Sequence, residues 1–145
     1  MILYAESSAV LRWLFNDPMA AQVHDDLIGA TKVVCSRLTL VECRRTARRA
    51  LAESRIAEAQ LSDVLSVLAQ ASARWAVLEL TSDVADRAGG RFPLEPVRTL
   101  DAIHLASIAV LRESLPDLAV LSTDERVRRN SAQLGFEVRP TSLVG

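Results

Sequence analysis

The sequence has few of the residues that build zinc sites and disulfide frameworks, and it lacks a long apolar run. Its 145 residues include two cysteines, Cys35 and Cys43, and two histidines. They form no CxxC pair and no histidine cluster, so neither zinc ligation nor a disulfide is predicted. No stretch approaches the roughly 18 consecutive apolar residues of a transmembrane helix. No basic leader precedes Glu6. We therefore expect a cytoplasmic protein with reduced, buried thiols, no secretory signal and no membrane partner.

Lysine and aromatic residues are also scarce. Lys32 is the only lysine among seventeen basic residues, and the aromatic residues are two tryptophans, one tyrosine and three phenylalanines. The formal net charge of −1 does not indicate a nucleic-acid binder, so any such site must be local. No aromatic residue is interleaved with the clustered arginines, which argues against a base-stacking platform. Selection for phosphate recognition and a general coding bias toward arginine both remain open as explanations of the arginine excess.

The order of apolar segments predicts the fold class. Half of the residues are apolar, and the length fits one domain spanning 1–145. Short strand-like segments alternate with helical ones, which predicts βαβ units. We therefore expect an α/β fold whose central, mostly parallel sheet of four to five strands is covered by helices on both faces. The predicted strands are 1–5, 32–35, 76–80, 118–121 and 136–138. The predicted helices are 9–16, 17–28, 36–52, 56–74, 82–89, 100–114 and 125–134.

Four acidic residues stand out by their positions. Glu6 and Asp124 directly follow the first and fourth predicted strands. Ligands of open α/β sheets bind beyond the carboxyl ends of the strands, so both carboxylates are expected at that edge. Glu42 and Asp101 lie within apolar helical segments, where an ionised group is rarely buried without a partner. Taken singly, Asp101 is explained by the helix dipole and Glu42 by an i,i+3 pair with Arg45.

The segments around these acids resemble the motifs of one family. They are Tyr-Ala-Glu-Ser-Ser-Ala-Val-Leu at 4–11, Arg-Leu-Thr-Leu-Val-Glu at 37–42, Arg-Thr-Leu-Asp-Ala-Ile-His-Leu-Ala at 98–106 and Ser-Thr-Asp-Glu-Arg-Val at 122–127. In this order, over essentially the whole chain, they are similar to PIN-domain ribonucleases, and in particular to the VapC-like toxins of VapBC toxin–antitoxin pairs. The resemblance implies a single PIN-like domain. The family usually has Asp where this chain has Glu6, which is one methylene longer.

The resemblance implies that the four carboxylates converge on Mg²⁺ or Mn²⁺ and hydrolyse RNA. Two ionised carboxylates about 5 Å apart repel by roughly 3 kcal/mol at an effective dielectric near 20, so such a cluster needs a cation. Oxygen ligands select a hard ion. Glu42 completes the metal shell or orients the attacking water. Ser8 and Ser122 match supporting hydroxyls, although helix capping explains Ser8 equally well. The implied metal ligands, direct or through water, are Glu6, Asp101 and Asp124.

His104 and the nearby arginines have structural interpretations beside the functional ones. His104 lies three residues after Asp101, and we expect a core histidine satisfied by a neighbour rather than a catalytic one. One helix carries two like-charge i,i+4 pairs, Arg44 with Arg48 and Arg45 with Arg49. A solvated helix face and a phosphate track for RNA both remain open there.

The resemblance also implies partners. A cognate VapB-like antitoxin would lay its C-terminal peptide over the early helices and block the acidic pocket, and the toxin would form a homodimer. Trp13 is the candidate antitoxin contact, with ordinary core packing as its alternative. A catalytically weak PIN-like module that binds RNA or antitoxin is the alternative function, because of Glu6. A phosphoacceptor receiver domain is disfavoured, since its chemistry needs a late lysine and Lys32 is the only one.

Overall fold

A five-stranded parallel sheet forms the centre of the molecule. The computed structural model describes residues 1–144, within which there are five strands and seven helices. The sheet order is β3-β2-β1-β4-β5, and every neighbouring pair is parallel. The predicted α/β class is confirmed. The strands are β1 (Ile2–Ala5), β2 (Lys32–Ser36), β3 (Ala76–Leu78), β4 (Leu118–Leu121) and β5 (Val138–Arg139). The helices are α1 (Ser7–Leu14), α2 (Ala20–Gly29), α3 (Arg37–Ala52), α4 (Glu58–Ser72), α5 (Ser82–Ala88), α6 (Thr99–Arg112) and α7 (Glu125–Gln133).

Apolar cores lie on both faces of the sheet. Side chains of a strand alternate between the faces, so Tyr4 belongs to the core with α5, α6 and α7, whereas Leu3 belongs to the core beneath α1 and α2. The first core contains much of α6, including the fully buried Leu105 and Ile108, as the apolar sequence of that helix predicts. Strands covered on both sides need no polar alternation, which explains why β4 is apolar throughout.

The switch in strand order lies between β1 and β4. From β1 the chain proceeds to β2 and β3 on one side, whereas β4 and β5 lie on the other. The Glu6 amide donates to the Leu121 carbonyl at 3.0 Å, so the pairing continues one residue beyond β1. A crevice opens at such a switch point, beyond the carboxyl ends of the strands. The fold therefore places Glu6 and the residues after Leu121 side by side.

Several element boundaries differ from the predictions. The helix predicted from residue 17 begins at Ala20, because Asp17 caps a turn by accepting from the Met19 amide. The first helix begins earlier than predicted, at Ser7, because the Glu6 side chain accepts the Ser8 amide as its N-cap. The last strand is Val138–Arg139 rather than 136–138, since the Phe136 amide closes α7 by donating to Ser131.

The two cysteines lie in one of the apolar cores. Cys35 and Cys43 are both free, buried thiols. Burial raises the pKa of Cys35 to about 12 and that of Cys43 still further, so both stay protonated at neutral pH. Across residues 1–144, no helix combines the length and apolar character that a bilayer crossing needs.

Candidate active site

The four predicted acids lie at the carboxyl edge of the sheet, each delivered by a different element. Glu6 follows β1, and Asp124 follows β4 as the N-cap of α7. Glu42 lies in the second turn of α3, the helix that follows β2, and Asp101 lies in the first turn of α6. The structure links them in two pairs. His104 lies between Glu6 and Glu42, and Arg98 lies between Asp101 and Asp124.

Glu6 is held inside the protein by hydroxyl and amide donors. The residue is only 4% exposed. Its Oε2 accepts from the Ser122 hydroxyl at 2.8 Å, from the Ser8 amide at 3.1 Å and from the Ser8 hydroxyl. Burial raises the pKa of Glu6, although His104 and these hydrogen bonds offset part of the rise. Its Oε1 lies 4.0 Å from His104 Nε2 and receives none of these three hydrogen bonds.

The two predicted supporting hydroxyls join the ends of the central strands. Ser8 Oγ accepts from the amides of Thr123 at 2.9 Å and Asp124 at 3.1 Å. Ser122 Oγ accepts from the Asp124 amide at 3.1 Å while donating to Glu6. Ser8 does not cap α1, because the Glu6 carboxylate performs that role. Both hydroxyls therefore contact the Glu6 carboxylate.

Glu42 is fixed by a buried histidine rather than by Arg45. Its Oε1 lies 2.6 Å from His104 Nε2 and accepts from the Ser7 hydroxyl at 2.6 Å. The interpretation of Glu42 as an intrahelical partner of Arg45 is therefore wrong. The Glu42 carboxylate instead hydrogen-bonds to His104, which is 62 positions away in the sequence. Burial alone would raise the pKa of Glu42, but the hydrogen bonds from His104 and Ser7 outweigh it and lower the pKa. Glu42 is thus kept ionised.

His104 itself is satisfied on both ring nitrogens. It is 1% exposed, and its Nδ1 lies 2.7 Å from the Tyr4 hydroxyl. Burial raises the pKa of Tyr4 well above its ordinary value, so the phenol stays neutral and can donate to Nδ1. Nε2 then carries the proton that Glu42 accepts. The structure agrees with a core histidine satisfied by neighbours, and one of those neighbours is a predicted site residue.

Asp101 and Asp124 share one exposed arginine. Arg98 Nε donates to Asp101 Oδ2 at 3.0 Å, and Arg98 Nη2 lies 3.7 Å from Asp124 Oδ2. The other oxygen of Asp124 accepts from the amides of Arg126 and Val127, each at 3.0 Å. The Arg98 side chain is 63% exposed, so nothing buries this cation in place. Sequence reasoning missed Arg98, although its i,i+3 spacing to Asp101 was a usable signal.

The site suits a cation but holds no ready-made set of metal ligands. In the part of the chain that the structure describes, no group of three or more His, Cys, Asp or Glu side chains is arranged to hold a metal ion. The arginine on Asp101 and Asp124 shows that a positive charge fits between these acids. Their oxygens are the hard donors that Mg²⁺ and Mn²⁺ prefer. The oxygen donors are therefore of the chemical type that a hard dication prefers, and Arg98 occupies the place between Asp101 and Asp124.

The remaining predicted contacts lie outside this cluster. Trp13 is half-buried: it packs on the core beneath α1 and also lines a groove beside α4, together with Ala71 and Arg74. Part of the Trp13 side chain therefore packs in the core, and part is exposed at the surface of the groove. The predicted arginines of α3 are exposed, and Arg44 donates to its own helix at the Leu40 carbonyl. Those arginines are Arg44, Arg45 and Arg48.

Comparison with known proteins identifies the family. The PIN domain family profile matches residues 3–133. Ribonuclease VapC45 and Ribonuclease VapC49 of Mycobacterium tuberculosis strains CDC 1551 and H37Rv are each 26% identical over 142 residues, which cover 98% of this chain and 97% of theirs. The crystal structure of M. tuberculosis VapC20, a Sarcin-Ricin loop cleaving toxin, has a TM-score of 0.63 at 16% identity, covering 92% of this chain and 95% of that one. VapBC2 from Rickettsia felis, bound to a DNA fragment from its promoter, gives 0.63 at 10% identity, covering 95% and 97%. The chain belongs to the PIN domain family.

Proposed function

We propose that this chain is a Mg²⁺- or Mn²⁺-dependent endoribonuclease and the toxin of a toxin–antitoxin pair. The proposal depends chiefly on one observation: four acids, each from a different element, lie at the carboxyl edge of the sheet near its switch point. PIN domain membership and relatives named as VapC ribonucleases support it. A fold alone does not imply an activity, and the acids supply the chemistry that the fold does not.

The metal would be held by Glu6, Asp101 and Asp124, directly or through water. When bound, it would make water a better nucleophile and stabilise the charge that develops on the leaving oxygen of the phosphodiester. Oε2 of Glu6 and Oδ1 of Asp124 are engaged by internal donors, while Oε1 of Glu6 lies 4.0 Å from His104 Nε2 and Oδ2 of Asp124 lies 3.7 Å from Arg98 Nη2.

Glu42 is the residue best prepared to act on the attacking water. Its lowered pKa keeps the carboxylate ionised, and its hydrogen bonds to His104 and Ser7 fix its orientation. An ionised and immobilised carboxylate can accept a hydrogen bond from water and aim it at a phosphorus atom. His104 is then a positioning residue that acts through Glu42.

The exposed arginines of α3 would hold the RNA backbone. Arg45 and Arg48 contact no carboxylate among residues 1–144, so their charges are available to phosphates. Arg45 lies about one turn after Glu42 on the same helix, and Arg48 lies one turn further. An RNA strand bound along these arginines would therefore lead toward Glu42. Arginine suits this role because its planar fork matches phosphate oxygens.

A VapB-like antitoxin would bind the groove lined by Trp13. Two adjoining cavities of about 490 and 570 Å³ share Trp13, Ala71 and Arg74, and together they offer aromatic and aliphatic surface to a peptide. Partner sites are marked by exposed surface of this kind. We further propose a toxin homodimer and a cytoplasmic location, as the resemblance to VapC toxins implies.

The test is incubation of the purified, antitoxin-free protein with total RNA, with and without EDTA, followed by mapping of the cleavage ends. We expect defined cleavage ends that EDTA abolishes. Cleavage that persists unchanged in EDTA would contradict the metal-dependent assignment, and absence of cleavage with Mg²⁺ and Mn²⁺ would contradict the ribonuclease itself.

One observation favours a second candidate, a catalytically weak module that binds RNA or antitoxin. Glu6 is almost fully buried, and its Oε2 is engaged by three donors. The shorter Glu6→Asp side chain would release these contacts and restore the residue usual in the family. A large gain in cleavage by this variant, over an almost inactive parent, would favour the binding module. Similar cleavage by both proteins would favour the ribonuclease.

A further inference from the structure

A further cavity lies next to the acids, and none of its lining residues belongs to α3. It is a cleft of about 440 Å³ between α7 and the loop that precedes α6, within the range of small-ligand sites. Arg98 lines this cleft and also contacts Asp101 and Asp124. The cleft and the acidic site therefore share one side chain, and a ligand bound in the cleft lies next to the carboxylates.

The cleft is lined by more positive than negative side chains, Arg98, Arg126 and Arg129 against Glu95. Arg126 and Arg129 lie on its wall, exposed, and neither contacts a carboxylate in the described part of the chain. Its one acid, Glu95, has both oxygens occupied by the amides of Phe92 and Val97. Like charges held together without counter-charges destabilise a fold, so this arrangement favours an anionic ligand.

The opposite wall is apolar and fixed. Leu94, Pro96 and Val97 form it, and Leu94 is 42% exposed. The buried Asn130 of α7 pins this loop: its Oδ1 accepts the Leu94 amide at 2.9 Å and its Nδ2 donates to the Leu94 carbonyl at 3.1 Å. The cleft is therefore preformed, with arginines on one side and an apolar surface on the other.

We propose that this cleft binds the nucleotide next to the phosphodiester that is cut. Its phosphate would lie on Arg126 and Arg129, and its ribose or base on Leu94 and Pro96. A nucleotide matches the cleft because it combines an anion suited to the arginine fork with a flat, weakly polar body. The inference rests on the proposed ribonuclease function and adds to it a substrate subsite that the four acids do not provide.

The test measures binding of a short, fluorescein-labelled single-stranded RNA by fluorescence anisotropy, in EDTA so that no cleavage occurs. The double variant R126Q/R129Q is compared with R55Q/R87Q, which removes two charges from exposed ion pairs elsewhere. We expect R126Q/R129Q to bind roughly tenfold more weakly. The log–log slope of its affinity against salt should fall by about 0.7 for each phosphate that the variant no longer neutralises. R55Q/R87Q should bind like the unmodified chain.

Cleavage kinetics give a second readout. R126Q/R129Q should raise KM for RNA with little change in kcat, because the two guanidinium groups lie beside the reacting bond rather than on it. Equal affinity, slope and KM for both double variants, with cleavage by the unmodified chain intact, would overturn the cleft while leaving the ribonuclease standing. If the unmodified chain neither binds nor cleaves RNA, the proposed function fails and the cleft fails with it.

Discussion

The two halves of the acid cluster are built in opposite ways. The inner pair, Glu6 and Glu42, is held by serine hydroxyls and the buried His104. The outer pair, Asp101 and Asp124, is closed by Arg98, whose side chain is mostly in solvent. Hydrogen bonds from neighbouring buried groups hold the inner carboxylates in place. In the outer pair Asp101 is buried, but the Arg98 side chain is 63% exposed, and an ion pair with an exposed partner contributes little to stability. The inner pair is therefore a fixed part of the fold, and the outer pair is the part that can exchange its counter-ion.

The largest effect is expected from the outer pair. Asp101→Asn should lower kcat for RNA cleavage by at least about a hundredfold, a loss typical of removing one charged group from a reacting centre. The exposed Asp63→Asn on α4 is the matched control and should cleave normally. Thermal unfolding of both variants should stay close to that of the parent. Unchanged cleavage by purified Asp101→Asn would remove this residue from the site.

Changes around the inner pair should lower the free energy of unfolding. His104→Ala leaves Glu42 and the Tyr4 hydroxyl without their partner and opens a cavity, so we expect the free energy of unfolding to fall by about 3 kcal/mol. His24→Ala removes the half-exposed second histidine and should change it by about 0.5 kcal/mol or less. Urea denaturation measures both. Equal losses would show that His104 does not hold the inner pair together.

Metal binding should compete with Arg98. At about a hundred times its dissociation constant, Mn²⁺ adds about 2.7 kcal/mol and should raise Tm by roughly 5–10 °C. Arg98→Gln removes the competing cation, so half of the maximal shift should occur at a lower Mn²⁺ concentration than in the parent.

Arg55→Gln, from a surface ion pair elsewhere, is the control for that experiment and should titrate like the parent. If millimolar Mn²⁺ shifts Tm in none of the three proteins, the acids do not gather around a metal.

The smallest effects concern pH and separate the members of the inner pair. The pKa of Glu6 is raised in the folded protein, so its contribution to stability is present at acid pH and is lost as the pH rises through that pKa. The pKa of Glu42 is lowered, so its contribution is present at neutral pH and is lost as the pH falls through that pKa.

Substitution of either residue by glutamine should reveal these opposite pH dependences of the free energy of unfolding. Measured in EDTA, the unfolding free energy of Glu6→Gln should gain on that of the parent as the pH rises. The unfolding free energy of Glu42→Gln should fall behind that of the parent over the same change. Parallel pH trends for the two variants would contradict the contrast between these two carboxylates.

The sequence predicted the layout of the site better than its contacts. Buried parallel strands have a distinct apolar pattern, and acids that follow such strands must reach one edge, so Glu6 and Asp124 could be placed from local signals. The partner of Glu42 could not. Arg45 was near in sequence, but His104 is brought to Glu42 by the packing of α6 on the sheet. Partner choice depends on tertiary packing, which periodicity does not encode.

Helix starts show the same limit on a smaller scale. Asp17 followed by Pro18 has the form of a helix start, yet the helix begins at Ala20 because a turn precedes it. The Glu6 carboxylate caps α1 although serines, the commoner cap residues, follow it directly. In both places the local sequence favours a particular helix start, but contacts with neighbouring strands and loops determine where the helix begins.

The position of β4 has a consequence for synthesis of the chain. This strand lies beside β1 at the middle of the sheet, yet it is made only when residues 118–121 leave the ribosome. Before that point a growing polypeptide lacks the neighbour that completes its central strand, and it also lacks Ser122 and Asp124. A polypeptide that stops before β4 can therefore complete neither the middle of the sheet nor the acid cluster.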